Sequence, residues 1–106
     1  MFKDLDPLLH SQLRLQIISL LISVESAEFS YLVEQTGATK GNISVQLTKL
    51  KDAGYVEVHK SFRNNYPLTE CNITLKGINA FEKYVDAIQE YFNPNNSRII
   101  PISDNN

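Results

Sequence analysis

The sequence predicts a single, mainly α-helical domain that carries one small β-hairpin. Apolar residues recur every three or four positions through most of the chain, which is the period of an α-helix. The period changes to two after Tyr55 and returns to helical spacing after Thr74, which places two short strands between helices. A length of 106 residues, 42% of them hydrophobic, suits one globular core. Residues 1–92 are expected to form this domain, and 93–106, rich in Asn, Pro and Ser, a flexible tail.

The first helix is predicted from an N-cap signature and a long run of apolar residues. Asp6 supplies a capping oxygen, and Pro7 fits the first helical position. Residues 8–24 are apolar nearly all round, so they predict a central helix that other elements cover. A break near His10 and Ser11, giving a short helix and a longer one, is the alternative.

Two further helices follow with little chain between them. Ser26 is expected to cap the second helix, with Glu28 in its first turn and Gly37 at its end. Thr39 is expected to cap a third helix, which Gly54 ends. The apolar residues predicted to face the core from this third helix are Ile43, Leu47 and Leu50. The short link forces the two helices to cross steeply, as in a helix-turn-helix.

A polar stretch between two alternating segments predicts the hairpin. Val56 and Val58 alternate with polar residues, and the alternation resumes at 69–73. The stretch Ser61–Leu68 between them is expected to form the turn. Three helices, a hairpin and a fourth helix, in this order, make a winged helix-turn-helix.

The last helix, about 74–92, carries an apolar stripe with the spacing of a coiled coil. Thr74 is expected to cap it. Intervals of three and four along the stripe favour a homodimer, and packing against Leu13 and Ile17 of the same chain is the alternative. The predicted dimer residues are Ile78, Phe81, Val85, Ile88 and Phe92.

The charge distribution points to an anionic partner, although the net charge is −2. Residues 39–63 contain five basic and two acidic residues. Residues 1–38 contain two basic and five acidic residues, and residues 64–106 contain three and five. A local basic patch, rather than the balance of the whole chain, is what contacts phosphates. The middle of the chain is therefore the predicted nucleic-acid surface.

The other chemistry-bearing residues indicate no catalytic, metal or cofactor site. Cys71, His10 and His59 share no metal-ligand spacing, and a single cysteine forms no internal disulfide. The sequence has neither a glycine-rich phosphate loop nor a nucleophile motif. It also lacks an apolar run long enough for a membrane span and a signal peptide at its start. We therefore expect a cytoplasmic protein that is not an enzyme.

A series of short motifs runs in order through residues 5–92. The motifs are Leu8-Leu9-His10-Ser11, Arg14-Leu15, Phe29-Ser30-Tyr31-Leu32, Thr36-Gly37, Asn42-Ile43-Ser44, Leu47-Thr48-Lys49-Leu50, Ala53-Gly54-Tyr55-Val56 and Ile73-Thr74-Leu75-Lys76-Gly77. At these spacings the series resembles the small winged-helix transcriptional regulators of the MarR and ArsR type. The resemblance implies binding of double-stranded DNA by the third helix and the wing, and dimerisation through terminal helices. It also implies DNA contacts by Lys40, Ser44, Val45 and Lys49.

The third helix and the hairpin supply the candidate DNA-binding residues. The helix is expected to expose Ser44 for base edges and Val45 for a thymine methyl group. Its N-terminus favours a phosphate, and Arg63 in the hairpin suits a phosphate or the minor groove. The full predicted set is Thr39, Lys40, Gly41, Asn42, Ser44, Val45, Thr48 and Lys49 in the helix, and Lys60, Arg63 and Asn64 in the wing.

Two other interpretations stay open from the sequence. The net negative charge also fits a winged helix that binds proteins instead of DNA. A regulator of this kind could hold a small-molecule effector between the last helix and the core, where Tyr84, Tyr91 and Phe92 are candidates. The same aromatic side chains suit the interior of a dimer, and the sequence identifies no effector.

Overall fold

The computed structural model describes residues 2–93 and residue 102. In this part of the chain the elements are α1 (Gln12–Leu21), β1 (Ala27–Glu28), α2 (Phe29–Thr36), α3 (Lys40–Asp52), β2 (Val56–Arg63), β3 (Tyr66–Ile73) and α4 (Leu75–Phe92). This arrangement confirms the predicted mainly α-helical winged-helix fold. The predicted tail, 93–106, lies outside the described residues apart from Asn93 and Ile102. No helix of the described part is long and apolar enough to cross a membrane.

The start marked by proline forms a single turn that is separate from α1. The Asp6 carboxylate accepts a hydrogen bond from the Leu8 N–H at 2.9 Å, and the Asp6 carbonyl accepts one from the His10 N–H at 2.9 Å. Ser11 is extended, with φ of −151°, and α1 begins after it. The alternative with a break near His10 and Ser11 is confirmed, and the long helix is shorter than the predicted 8–24.

The predicted cap of the second helix at Ser26 is wrong. Ala27 and Glu28 form β1 instead, and Ala27 lies opposite Cys71 in an antiparallel pair with β3. Helix α2 therefore begins only after Glu28, which makes no side-chain cap hydrogen bond. The edge of β3 offers backbone groups that would otherwise be unpaired, and β1 satisfies them. Because this partner is distant in sequence, the local pattern does not reveal it.

The helix ends marked by glycine and the cap at Thr39 are confirmed. Gly37 follows α2 with φ of +72°, and Gly54 follows α3 with φ of +82°. Glycine adopts this left-handed backbone without steric cost because it has no Cβ. Thr39 Oγ1 accepts a hydrogen bond from the Asn42 N–H at 3.1 Å. A short link thus joins α2 and α3 as a helix-turn-helix.

The hairpin has longer strands and a tighter turn than the sequence predicts. Arg63 of β2 lies opposite Tyr66 of β3, and only Asn64 and Asn65 connect them. Their φ values of +52° and +67° are those of a type I′ turn, whose twist matches that of paired strands. Asparagine tolerates positive φ better than most residues do. The predicted turn at Ser61–Leu68 is therefore too long, because its residues on either side of Asn64 and Asn65 belong to exposed strands.

The core lies between the helices and one face of the sheet, whose strand order is β1-β3-β2. The predicted inward face of α3 is confirmed, since Ile43, Leu47 and Leu50 are buried. The side chains that are fully buried are Leu9, Ile17, Ile18, Leu21, Leu32, Ile43, Leu50, Val56 and Cys71. Removal of this apolar surface from water is the main force that holds the helices on the sheet.

Helix α4 meets the rest of the fold in a close backbone contact at Gly77. Thr74 Oγ1 accepts a hydrogen bond from the Gly77 N–H at 3.0 Å, which confirms the predicted cap. A Cβ at position 77 would overlap the Tyr55 carbonyl oxygen and lie 2.8 Å from Cγ1 of Ile73. Only glycine allows α4 to start this close to β2 and β3.

The N-terminal segment, residues 2–11, lies along α4. Phe2 stacks on Tyr91 with ring centroids 4.7 Å apart. His10 Nδ1 and the Tyr84 hydroxyl form a hydrogen bond of 3.0 Å. One side of α4 is therefore covered by its own chain.

The predicted dimer stripe of α4 divides into two halves. Phe81 and Ile88 pack at the margin of the hydrophobic core. Phe92 is 82% exposed, and Ile78 and Val85 are half-buried. Part of the stripe thus packs within the monomer, as the alternative interpretation expects, and the homodimer stays a prediction.

Candidate nucleic-acid interface

The outward face of α3 brings together the helix residues of the predicted site. Whereas the inward face is buried, the opposite side chains are exposed, Val45 to 51%. A helix that is buried on one side only can present the other side to the major groove, which is about 12 Å wide. The exposed residues of α3 and its cap that were predicted to bind DNA are Thr39, Lys40, Gly41, Asn42, Ser44, Val45, Thr48 and Lys49.

The N-terminal end of α3 is open and positively charged. Lys40 and Gly41 are exposed, and a Cβ added at Gly41 would have no atom within 4 Å. The partial positive charge of the helix N-terminus adds to that of the lysine. This end therefore suits a phosphate group, and its backbone is accessible to close approach.

A chain of hydrogen bonds ties α3 to α1 on one flank of the outward face. Arg14 Nη1 donates to Gln46 Oε1 at 2.6 Å, and Gln46 Nε2 donates to Asn42 Oδ1 at 2.9 Å. Arg14 Nε donates to the Leu8 carbonyl at 2.6 Å. The DNA-binding residues predicted from the sequence include neither Gln46 nor Arg14. The spacing of apolar residues along a helix does not indicate which polar side chains of another helix it contacts.

On the other flank, a groove of about 290 Å³ separates α3 from the hairpin. Ser44, Thr48 and Lys51 line its helix side, and Lys60 and Thr69 line its sheet side. Two ammonium groups in one groove attract a phosphate backbone. Lys51 was missing from the predicted site, although one heptad separates it from Ser44 and places both on the same flank.

The predicted wing residues lie on two faces of the hairpin. Lys60 lines the groove, whereas Arg63 points to the opposite face because side chains alternate along a strand. Nη2 of Arg63 donates to both carboxylate oxygens of Glu28 at 3.1 Å. Asn64 is exposed at the tip, and Phe62, which sequence reasoning missed, is 76% exposed on the same face as Lys60. The structure thus brings Lys60 to α3 and keeps Arg63 apart from it.

A cavity of about 690 Å³ lies between the N-terminal segment and α4. Tyr55 and Tyr84 line it. Of the three aromatic candidates for an effector site, Tyr84 is therefore the one at this cavity. Tyr91 stacks on Phe2 instead, and Phe92 is exposed.

Two titratable side chains away from the outward face of α3 have raised pKa values. Burial raises the pKa of the Cys71 thiol to about 11, and the Glu70 carboxylate adds to the effect. Burial, and then the hydrogen bond to Asp6, raise the pKa of Tyr55 to about 12. Both groups stay protonated at neutral pH. In the described part of the chain, no three His, Cys, Asp or Glu side chains are placed to hold a metal ion.

A match to a known protein family covers almost all of these helices and strands. Residues 13–92 match the family described as a winged helix DNA-binding domain. The chain belongs to this family. An uncharacterised protein of Methanocaldococcus jannaschii is 40% identical over 76 residues, which are 72% of this chain and 83% of that protein. The winged-helix match includes the outward face of α3, the wing and α4.

Solved structures share the winged-helix fold. The transcriptional regulator homologue from Pyrococcus horikoshii OT3 gives a TM-score of 0.75 at 24% identity, covering 80% of this chain and 84% of that one. MepR of S. aureus, solved as a DNA complex, gives a TM-score of 0.66 at 12% identity, covering 78% of this chain and 68% of that one. These likenesses confirm the fold implied by the resemblance to MarR-type regulators. Family membership makes this a DNA-binding winged-helix domain.

Proposed function

We propose that this winged-helix protein is a transcriptional regulator that binds duplex DNA sequence-specifically as a homodimer. Helix α3 enters the major groove, and the β2–β3 wing contacts the adjacent backbone or minor groove. The observation that carries the proposal is the exposed outward face of α3 beside a groove that contains two lysines. Residues 1–92 form the DNA-binding unit.

Ser44 and Val45 read the base sequence in this proposal. The Ser44 hydroxyl can donate to or accept from a base edge, and the exposed Val45 side chain suits a thymine methyl group. The Thr48 hydroxyl already donates to the Ser44 carbonyl at 3.0 Å. The Thr48 hydroxyl oxygen can still accept from a base donor, and the Thr48 methyl group adds an apolar contact.

Four lysines around the reading residues anchor the DNA backbone. Lys40 lies at the helix N-terminus, Lys49 on the outward face, and Lys51 and Lys60 in the groove. Each phosphate contact releases a condensed counterion, so affinity falls as salt rises. Four contacts correspond to a slope of about −3.6 in log affinity against log salt concentration.

Two matched double variants test the reading face. Ser44→Ala with Val45→Ala is expected to change the preferred base pairs and to weaken binding to the preferred site by about tenfold or more. Ser19→Ala with Val24→Ala makes the same two changes at exposed positions outside α3 and is expected to change neither. Footprinting and anisotropy titrations measure binding, and thermal melting checks that each variant is folded.

Two results would contradict this assignment of α3. One is an unchanged footprint and affinity for the α3 variant at a normal melting temperature. The other is an equal loss in the control variant. Lack of retention on duplex DNA at low salt by the unmodified protein would favour the alternative, a winged helix that binds only proteins.

The residues of the α4 stripe that do not pack on the hydrophobic core supply the dimer contact in this proposal. Ile78, Val85 and Phe92 recur every seven residues, which is the repeat of a coiled-coil seam. Val85→Lys with Phe92→Lys is expected to give folded monomers, whereas Phe81→Lys is expected to unfold the protein because Phe81 packs on the core. Light scattering and melting curves distinguish these outcomes.

Dimerisation also predicts the form of the DNA site. A two-fold protein requires a pseudo-palindrome with half-sites about 10 base pairs apart. Loss of the dimer should weaken binding because two linked half-site contacts multiply affinity. A monomeric unmodified protein at micromolar concentration would refute the dimer.

A further inference from the structure

The hydrogen bonds that join Arg14, Gln46 and Asn42 have a fixed direction. A guanidinium group has only donors, so Gln46 must turn its carbonyl oxygen toward Arg14. The Gln46 amide nitrogen then faces Asn42 and donates to it, and Asn42 must accept with Oδ1. The orientation of a side-chain amide is normally ambiguous. Here the arginine settles it for both amides.

Arg14 is itself held in place, so its N–H donors fix the orientation of both side-chain amides. Its Nε donates to the carbonyl of Leu8 at 2.6 Å, and its side chain is only half exposed. One guanidinium thus bridges the N-terminal segment and the reading helix. Rotating Gln46 by 180° would place its NH₂ group against the guanidinium, donor against donor.

The outer end of the chain, Asn42, is an exposed residue in the first turn of α3. Because its carbonyl oxygen is turned toward Gln46, the group that points away from Gln46 is the Nδ2 amide, which only donates. Among residues 2–93, no hydrogen bond from this Nδ2 is present. In the major groove, guanine presents N7 and O6 acceptors, thymine presents O4 and adenine presents N7, whereas cytosine presents only an N4 donor. Cytosine is therefore the base that a donor alone cannot bind.

We propose that the Arg14–Gln46 pair holds Asn42 with its NH₂ donor turned outward, so that Asn42 disfavours cytosine at one position of each half-site. Arg14 and Gln46 are positioning residues, and Asn42 makes the base contact. The proposal rests on the proposed function, since it requires α3 in the major groove. It adds the polarity of one contact and the two residues that set this polarity.

Gln46→Glu is expected to invert the preference at that position. A carboxylate only accepts, so Glu at position 46 would bind both Arg14 and the NH₂ group of Asn42. Asn42 would then turn Oδ1 toward the DNA and favour the donor groups of cytosine or adenine. Asn42→Asp should shift the preference in the same direction while leaving the Arg14–Gln46 contact intact. Gln46→Met should relax the preference, because it frees the Asn42 amide to rotate.

Selection from randomised DNA, followed by titration of the four variants of the site, measures these effects. The position is the one at which Asn42→Ala loses its preference. The ratio of affinities for guanine or thymine over cytosine should change by about tenfold or more in the Gln46→Glu variant, whereas adenine, which presents both a donor and an acceptor, does not distinguish the two orientations. The added negative charge weakens all four sites alike and cancels in this ratio. In ¹⁵N-labelled protein, the Asn42 amide signals should shift between the unmodified protein and Gln46→Met.

Three results would overturn the proposal while leaving DNA binding by α3 intact. They are no position that depends on Asn42, a cytosine preference in the unmodified protein, and an unaltered ratio in folded Gln46→Glu or Asn42→Asp. If Gln46→Glu fails to fold, Asn42→Asp decides alone. Absence of any sequence preference in the unmodified protein would instead refute the proposed function.

Discussion

Replacing Gly77 with alanine is expected to destabilise the fold by about 1–3 kcal/mol. The new Cβ would overlap the Tyr55 carbonyl oxygen and approach Cγ1 of Ile73 to 2.8 Å. Backbone cannot give way as a flexible side chain can, and such overpacking costs about 1–3 kcal/mol. Moving α4 outward also strains the hydrogen bond of 3.0 Å from the Thr74 N–H to Tyr55, and bonds of this kind contribute about 1 kcal/mol each. The higher helix propensity of alanine offsets at most about 1 kcal/mol of this loss of stability.

Urea unfolding followed by circular dichroism measures this loss, and Gly41→Ala is the matched control. The same substitution at Gly41 meets open space in the first turn of a helix, so stability should stay equal or rise by up to about 1 kcal/mol. For a domain of this size, the Gly77→Ala loss corresponds to a melting temperature lower by about 5–20 °C. A Gly77→Ala variant as stable as the unmodified protein would show that α4 does not touch Tyr55 in solution.

Four further predictions concern DNA binding, pH and thiol labelling. Gly41→Ala should weaken DNA binding by about tenfold in spite of its stable fold, because the methyl group keeps the backbone from the phosphates; equal affinity in anisotropy titrations would refute close approach. Glu28→Gln should free Arg63 and make the salt slope steeper by roughly one unit, and an unchanged slope would show that Arg63 touches no phosphate. Because the pKa values of Cys71 and Tyr55 are raised to about 11 and about 12, folding disfavours their ionised forms. Stability should therefore be unaffected by these groups below about pH 9 and fall as the pH rises toward 12. Cys71 should react with thiol reagents at pH 8 only on unfolding; rapid labelling of the native protein would contradict its burial.

The parts of the fold that the sequence predicts correctly are those that neighbouring residues determine. The cap at Thr39, the end at Gly54 and the buried face of α3 follow from spacing and from backbone preferences within a few positions. The cap at Thr74 is of the same kind. The outward face of α3 is predictable because it lies opposite the buried face of the same helix.

The parts that were wrong or missing depend on partners distant in the chain. β1 exists because β3 lies beside it, and without that partner Ser26 looks like a helix cap. In the site, the ion pair of Arg63 and the contact of Arg14 with Gln46 join residues 35 and 32 positions apart. Local periodicity carries no information on such pairs. The turn around Asn64 was predicted too long for a different reason. The exposed strand residues beside it are as polar as the residues of a loop.

The N-terminal segment bears on the order in which the chain folds. Lys3 donates its main-chain N–H to Glu90 at 2.8 Å across 87 positions, next to the stack of Phe2 on Tyr91. Closing so large a loop costs more chain entropy than any contact between neighbouring helices, and at residues 2–4, in contrast to the buried Leu9, only exposed contacts offset this cost. The helix-turn-helix and the hairpin can therefore form first, and residues 2–4 dock last. In hydrogen exchange, residues 2–4 should open separately from the core, which uncovers the Tyr91 end of α4 while α3 stays folded.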